Sequence, residues 1–549
     1  MQPRSPLPRL LAPALLALAM SPPAGAQTGA GPLLEETRRP APPALPSQTP
    51  PRVLEVPVRP AINMPEGVSV TVSSFRVSGA QSFPVYELEP LLRPWVGKRL
   101  DLRGLNEAAG AITRHYQAAG HFLSYAYLPA QRVADGVIEI AVLEGRIEAV
   151  QVVTAQEVRL RDEVVQAFTD PLVGQTPMKQ EAVERQLLLL GEIPGVAARA
   201  AFTPGTTTGG AEMVVSVAED EPLEIRGEFN NHGGVSTGRY RAGLSLQFSD
   251  LFGWGDSTVA RGYVSNRGSL VTGSLSSTVP LGGQGWRAGA SVSRLRYQLA
   301  GAFRAIAAEG TADTAGVEVG YALRRSTDGN LTARVALDHK RLRDEQGAFV
   351  DGTSVRSNDT GEFGLSADFR DPFGGVGAGS ATLTQGYLRV GDAPRALWRK
   401  LFVQAARQQT LPWGLSLYTR LVGQTTASSL DSSEKLGLGG AGGVRAYSPG
   451  EVSVDHGALG TLELRYARDL LGGSIVGSLF HDYGGGMINR TTPGAPGNDP
   501  ELNGTGLGLS WSGSGVGINA SLAWRGSRVP TTDTSDPRPR LFLQVLYTP

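Results

Sequence analysis

The residues that could do covalent chemistry come first. Gly234-Val235-Ser236-Thr237-Gly238 has the spacing of a nucleophile elbow, in which a serine is presented for acyl transfer. That motif needs a strand before it and a helix after it, and here it lies in a turn between strand-like stretches. Gly437-Leu438-Gly439-Gly440-Ala441-Gly442 has the glycine spacing of a dinucleotide cradle. It opens no helix and belongs to no βαβ unit, so no pyrophosphate site is expected. There is no phosphate-loop lysine motif and no His-Glu-x-x-His. The six histidines are scattered and cysteine is absent, which removes disulfides and thiolate metal sites. No catalytic, cofactor-binding or metal-ligating set is therefore expected.

Lys plus Arg and Asp plus Glu stand at 51 each. A nucleic-acid binder usually carries a basic excess on some domain, and none is visible. Residues 1–26 read as a secretory leader: Arg4 and Arg9, then the apolar Leu10–Met20, then the small-x-small site Ala24-Gly25-Ala26. Eleven apolar residues are too few to span a bilayer as a helix, and no later stretch approaches eighteen. A membrane protein of this sequence would have to cross as a barrel.

Residues 27–67 are rich in proline and read as an extended linker. Near its start, Gly31–Arg39 could form a short helix with Leu33 and Leu34 on one side. Residues 68–145 then give the order strand, helix, helix, strand, strand: 68–78, 86–95, 102–119, 122–128 and 137–143. In the second helix Leu105, Ala108, Ala109, Ile112 and Tyr116 recur every three or four residues. Asp101 suits its N-cap and Gly120 its end. Residues 146–222 repeat the order at 147–153, 158–168, 179–190, 196–202 and 212–218, so one module is present in two tandem copies.

After residue 222 helical periodicity stops and residues 223–549 alternate. Tyr240, Ala242, Leu244, Leu246 and Phe248 share one face, as do Leu462, Leu464 and Tyr466 against Glu463 and Arg465, and Leu541, Leu543, Val545 and Tyr547. Apolar-out, polar-in alternation marks a transmembrane barrel, and at about 20 residues per strand with its turn this length makes about 16 strands. A soluble antiparallel sheet of that size would split into domains. The expected fold is thus α+β modules followed by a transmembrane antiparallel β-barrel in the outer-membrane bilayer, with an aqueous lumen.

Two stretches carry a resemblance. Leu438–Tyr466 (LGGAGGVRAYSPGEVSVDHGALGTLELRY) contains Val444-Arg445-Ala446-Tyr447, and Phe480-His481-Asp482-Tyr483-Gly484 follows. Together with the tandem modules they resemble the two-partner secretion transporters of the TpsB family, the ShlB/FhaC/HecB-like haemolysin and haemagglutinin secretion proteins of the BamA-like superfamily. That family has Val-Arg-Gly-(Tyr or Phe) at the tip of a long sixth extracellular loop and Phe-x-Asp-x-Gly on the barrel wall. The resemblance implies that the modules are periplasmic POTRA domains. It implies that the loop folds into the lumen, where Arg445 meets Asp482 of the wall motif Phe480, Asp482, Gly484. It further implies that Leu33 and Leu34 belong to a helix that plugs the pore. Ala446 stands where the family has Gly; if that position needs positive φ, alanine adds strain of order 1 kcal/mol. The implied partner is an unfolded exoprotein, a haemolysin or adhesin, exported without nucleotide. The alternative is a BamA-like insertase for outer-membrane proteins, although such relatives usually carry more POTRA modules. A passive porin would need no modules at all.

Overall fold

The computed structural model of the chain describes residues 29–38, 42–47, 54–55, 69–154, 158–526 and 537–549. The leader read at 1–26 and most of the Pro-rich linker lie outside the described residues.

In the first module the helix Leu102–Ala118 turns its apolar stripe inward. Ile112 and Tyr116 are fully buried against Ile140 and Val142 of the strand Val137–Leu143. The Asp101 carboxylate accepts from Gly104 N at 2.9 Å, which satisfies one of the free amides of the first turn. Val137–Leu143 is the centre of a three-stranded sheet, parallel to Ser74–Ser78 and antiparallel to Tyr125–Tyr127.

Two expected strands are shorter than the sequence pattern predicts. Residues 68–78 divide into Ser69–Thr71 and Ser74–Ser78 because the chain changes partner between them. Val72 N donates to Lys98 O, whereas Ser73 N donates to Gly136 O. Residues 122–128 keep only Tyr125–Tyr127 as strand. Phe122 leaves the first sheet to meet Phe202 of the second module edge-to-face, with centroids 5.1 Å apart. The apolar side chain that suggested a strand serves the neighbouring core instead.

The second module repeats the plan. Its strands Arg146–Thr154, Gly210–Glu219 and Val196–Pro204 form a sheet, to whose Val196–Pro204 edge Leu54–Glu55 adds in parallel. The first helix begins at Asp162 rather than 158. The preceding amides are taken by neighbours, Arg159 N by Glu219 and Arg161 N by Gly253 O, so the chain stays extended there. This module is docked on the barrel turns. Arg185 donates to Ala322 O, Arg287 pairs with Glu192 and Arg161 stacks on Trp254.

Sixteen antiparallel strands close into a barrel. The first, Leu223–Asn230, meets the last, Arg540–Tyr547, over four residue pairs, from Gly227–Tyr547 to Asn230–Gln544. This seam is shorter than any other ladder of the barrel. Leu462, Leu464 and Tyr466 face outward and exposed, while Glu463 turns inward and is buried. The strands Gly329–Gln346 and Thr353–Arg370 have 18 residues each, against about 9–11 needed to cross a bilayer. That side of the barrel therefore extends beyond the hydrocarbon at the end away from the modules.

Candidate functional site

The two enzyme-like glycine patterns have no enzymatic context. Gly234–Gly238 lies in a connection between two barrel strands, and Gly437–Gly442 lies in the long connection 427–455, with no helix after it. That connection joins Leu415–Thr426 to His456–Leu470 and folds back into the lumen. Its base is a short hairpin of Leu436–Gly437 with Ser453–Val454.

Burial of charge decides how the loop is held. At its stem Glu434 is almost fully buried and accepts from Lys340 Nζ at 2.5 Å, Lys400 Nζ at 2.9 Å and Asn358 Nδ2 at 2.9 Å. Asp431 pairs with Arg356, which also reaches Asp344 at 2.5 Å. Asp455 accepts from Leu430 N and Arg490 N and lies 3.2 Å from Lys435 Nζ. Buried carboxylates require such partners because an isolated charge in a poorly solvated site is expensive.

At the tip, Arg445 and Asp482 come together. Arg445 Nε and Nη2 each donate at 2.8 Å to one carboxylate oxygen of Asp482, and Arg445 N donates at 3.1 Å. The guanidinium fork matches the carboxylate, and two parallel bonds fix orientation as well as distance. Thr461 Oγ1 donates to the same carboxylate at 2.9 Å. Glu463 takes Arg445 Nη1 at 2.8 Å and is shared with Arg465 at 2.7 Å. The guanidinium carbon lies 3.3 Å from the centre of the Phe480 ring, so the wall motif supplies both a carboxylate and a cation–π face.

The apolar members of the motif surround the pair. Val444, Ala446 and Tyr447 are buried with Phe480, Leu438, Leu459 and Leu502. A Cβ at Gly484 would come within 2.7 Å of Leu459 and 3.0 Å of Val444, so any larger residue would have to displace side chains that pack the loop against the wall. Ala446 is not in the left-handed region, and the strain considered for a positive φ does not arise. Its methyl instead fills the space over Gly504, where an added Cβ would lie 2.6 Å from it. Arg525 Nε donates to Ala446 O at 3.0 Å, and its guanidinium stacks on Tyr447.

Sequence reasoning placed Glu463 on an inward face but missed it as the second carboxylate of Arg445. It also missed Thr461, Gly504 and Arg525. Only the alternation in Leu462-Glu463-Leu464-Arg465 offered a signal, and only for Glu463.

The helix at the start of the described chain runs Ala30–Arg38, one residue ahead of the predicted 31–39. It lies inside the barrel. Ala30, Leu33 and Leu34 are buried against Leu270, Leu295, Tyr297 and Leu342 of the wall. Ala30 N donates to Asp344 at 2.7 Å, Glu36 pairs with Arg241 at 2.8 Å and Arg38 with Asp338 at 3.2 Å. A Cβ on Gly31 would meet Ser432 Oγ at 2.1 Å, so helix and loop also touch each other. Two internal elements thus share the lumen.

Comparison with known proteins is consistent over most of the chain. The family model for haemolysin secretion/activation protein ShlB/FhaC/HecB matches residues 209–511, and that for the ShlB-type POTRA domain matches residues 70–145. The heme/hemopexin transporter protein HuxB of Haemophilus influenzae is 26% identical over 459 residues, which is 80% of each chain. The outer membrane transporter CdiB of Escherichia coli is 24% identical over 420 residues, covering 73% of this chain and 70% of that one. Among solved structures, CdiB from Escherichia coli superposes with a TM-score of 0.70 at 22% identity, over 90% of this chain and 94% of that one. BamA from Haemophilus ducreyi lacking POTRA domains 1–3 gives a TM-score of 0.50 at 13% identity, over 87% of this chain and all of that one. The chain belongs to the haemolysin secretion/activation protein family ShlB/FhaC/HecB, and it is a two-partner secretion transporter of the outer membrane with its POTRA end in the periplasm.

Proposed function

We propose that the two elements in the lumen have different jobs during export of the partner exoprotein: Ala30–Arg38 is a plug that leaves, and the loop carrying Arg445 is a clamp that stays attached to the wall. An unfolded segment of the partner first adds as a strand to an exposed POTRA sheet edge, where main-chain bonds give affinity. It then threads the lumen and folds outside. Folding on the far side makes return unfavourable, so the route needs no nucleotide.

The observation that carries this reading is the contrast in how the two elements are held. The helix buries its first half, Ala30, Gly31, Pro32, Leu33 and Leu34, and burying a leucine stabilises by about 1.5–3 kcal/mol. Of its two ion pairs, Glu36–Arg241 is largely buried, whereas Arg38–Asp338 is partly exposed at the arginine, whose side chain is 37% accessible, and exposed pairs contribute about 0–1 kcal/mol. Its second half, Glu35–Arg38, is half-buried to exposed, so the helix is less firmly held than the loop. The loop is tied by Arg445, Asp431, Glu434 and Asp455, all buried or nearly so.

Single-channel conductance of the full chain and of a variant lacking residues 27–60 tests the plug. Conductance should rise in the variant, and unchanged conductance would remove the plug from the reading. The short seam between Leu223–Asn230 and Arg540–Tyr547 favours the alternative of barrel insertion through a lateral opening. Deleting the gene separates the two. Loss of one large secreted protein supports export, whereas general loss of outer-membrane barrels supports insertion. The family transports a partner exoprotein; we infer a large haemolysin- or adhesin-like chain as the one carried here.

A further inference from the structure

The outer wall of the barrel carries a feature that export does not use. Along Gly329–Gln346, the outward positions away from the periplasm read Val335, Leu337, His339, Arg341 and Arg343. Val335 and Leu337 are exposed on the lipid-facing surface. The strand exceeds the bilayer thickness, so the arginines stand at the headgroup level of the outer leaflet or just above it. The same change occurs two strands away on either side. Val292 gives way to Arg294 and Arg296 on Trp286–Gln298, and Tyr387 gives way to Arg389 on Gly375–Val390.

Register puts three of these cations in one row. Arg294 is opposite Asp313, Asp313 opposite Arg341, Arg341 opposite Ser357 and Ser357 opposite Arg389. With strands about 4.8 Å apart, successive arginines of the row lie roughly 10 Å from one another. Three carboxylates of this sector are already engaged: Asp313 lies 3.4 Å from Arg294, Glu345 2.5 Å from Arg343, and Asp359 2.6 Å from His339 and 3.5 Å from Arg395; a fourth, Glu309, stands opposite Glu345 at the end of the strand. Among the described residues no carboxylate lies within ion-pair distance of Arg296, Arg341 or Arg389.

Below the row is a groove in the apolar wall. Small side chains at Ala290, Ala315 and Gly361 form its floor, and Val317 and Leu337 stand beside it. The opposite wall differs. On Gly473–Met487, Glu501–Gly513 and Val516–Arg525 the outward positions carry no arginine or lysine. The basic sector is therefore a local feature and not a ring around the barrel.

We propose that this sector binds one phosphorylated glycolipid of the outer leaflet, with Arg296, Arg341 and Arg389 on its phosphates and an acyl chain in the groove. Guanidinium pairs bidentately with phosphate. The spacing of roughly 10 Å between Arg341 and Arg389, two strands apart in the row, fits phosphates at the two ends of a disaccharide better than a single phosphodiester, and Arg296 stands one outward position beyond the row. The ligand sits outside the barrel, so it anchors the projecting strands without entering the export route.

The full chain, purified and delipidated in detergent, is titrated with bisphosphorylated lipopolysaccharide, with its enzymatically dephosphorylated form and with inorganic phosphate. Bound lipid is read by native mass spectrometry. One phosphorylated molecule per chain is expected, with affinity at least tenfold weaker for the dephosphorylated form and for the triple variant R296Q/R341Q/R389Q. Secretion of the partner and heat-modifiable mobility report that the variant is folded. Gly361→Leu, which fills the groove, should weaken binding while leaving the arginines in place. Equal binding of both lipid forms, wild-type affinity in the folded triple variant, or complete displacement by inorganic phosphate would each overturn the proposal.

Discussion

Replacing Arg445 by alanine should free the loop, and the size of the effect follows from what is left behind. Asp482 is 1% exposed and Glu463 9% at the side chain. Without Arg445, Asp482 keeps the Thr461 hydroxyl and the amide of residue 445, Glu463 keeps Arg465, and the two carboxylates face each other. Breaking a buried pair by removing one partner costs about 3–5 kcal/mol, and Arg445→Ala belongs at the upper end. Asp482→Ala is milder, about 1–3 kcal/mol, because Arg445 still has Glu463. The double variant should cost less than the sum, with a coupling of about 1–3 kcal/mol. The assay is cleavage of the loop 427–455 by external protease in reconstituted vesicles, where the rate follows the open population if reclosing is fast. At 1.36 kcal/mol per tenfold, the upper end of that range means that Arg445→Ala should raise cleavage by about 10³ or a few times more. Two solvated charges would contribute only about 0–1 kcal/mol. A rise below about fivefold, or single effects that simply add, would refute the clamp.

Further expectations concern other residues. Gly504→Ala should loosen the loop tip by placing a methyl 2.6 Å from that of Ala446, and the pair Gly504→Ala with Ala446→Gly should recover wild-type protease resistance. Leu34→Asp should eject the helix, since a charge in place of a leucine that is 3% exposed cannot stay in that contact; conductance should approach that of the variant lacking residues 27–60. In the first POTRA module Glu144 accepts from Gln81 N at 2.7 Å, Ser82 N at 2.6 Å and Tyr116 Oη at 2.9 Å. Burial opposes its ionisation, but these donors win and hold its pKa below the usual carboxylate range. A depressed pKa stabilises the folded state above the ordinary carboxylate pKa, and that stability is lost as pH falls through the lowered value. Hydrogen exchange at residues 81–82 of the full chain should therefore be faster in Glu144→Gln than in wild type at pH 7, and the difference should shrink on acidification.

Local periodicity carried a large part of the architecture. The stripe Leu105, Ala108, Ala109, Ile112, Tyr116 is what buries the helix Leu102–Ala118, because a 3.6-residue repeat has one face. The alternation in Leu462-Glu463-Leu464-Arg465 separates lipid from lumen because strand side chains have period two. Chain length and that alternation together gave the strand number, and sixteen strands close the barrel. Where the pattern misled, tertiary demand overrode it: Phe122 left its strand for the second module's core, and the backbone changed partners between Val72 and Ser73.

The candidate site was legible only in part. Arg445 and Asp482 came from the resemblance, since nothing local to either residue names the other across 37 positions. Their geometry, the second carboxylate from Glu463, the methyl of Ala446 over Gly504 and the helix seated beside Ser432 arise where distant segments meet in one lumen. The sequence by itself determined which faces are apolar, because that is a property of neighbours along the chain. Which charges share a partner was decided only by closure of the barrel, which sets the distance between strands and the space left inside.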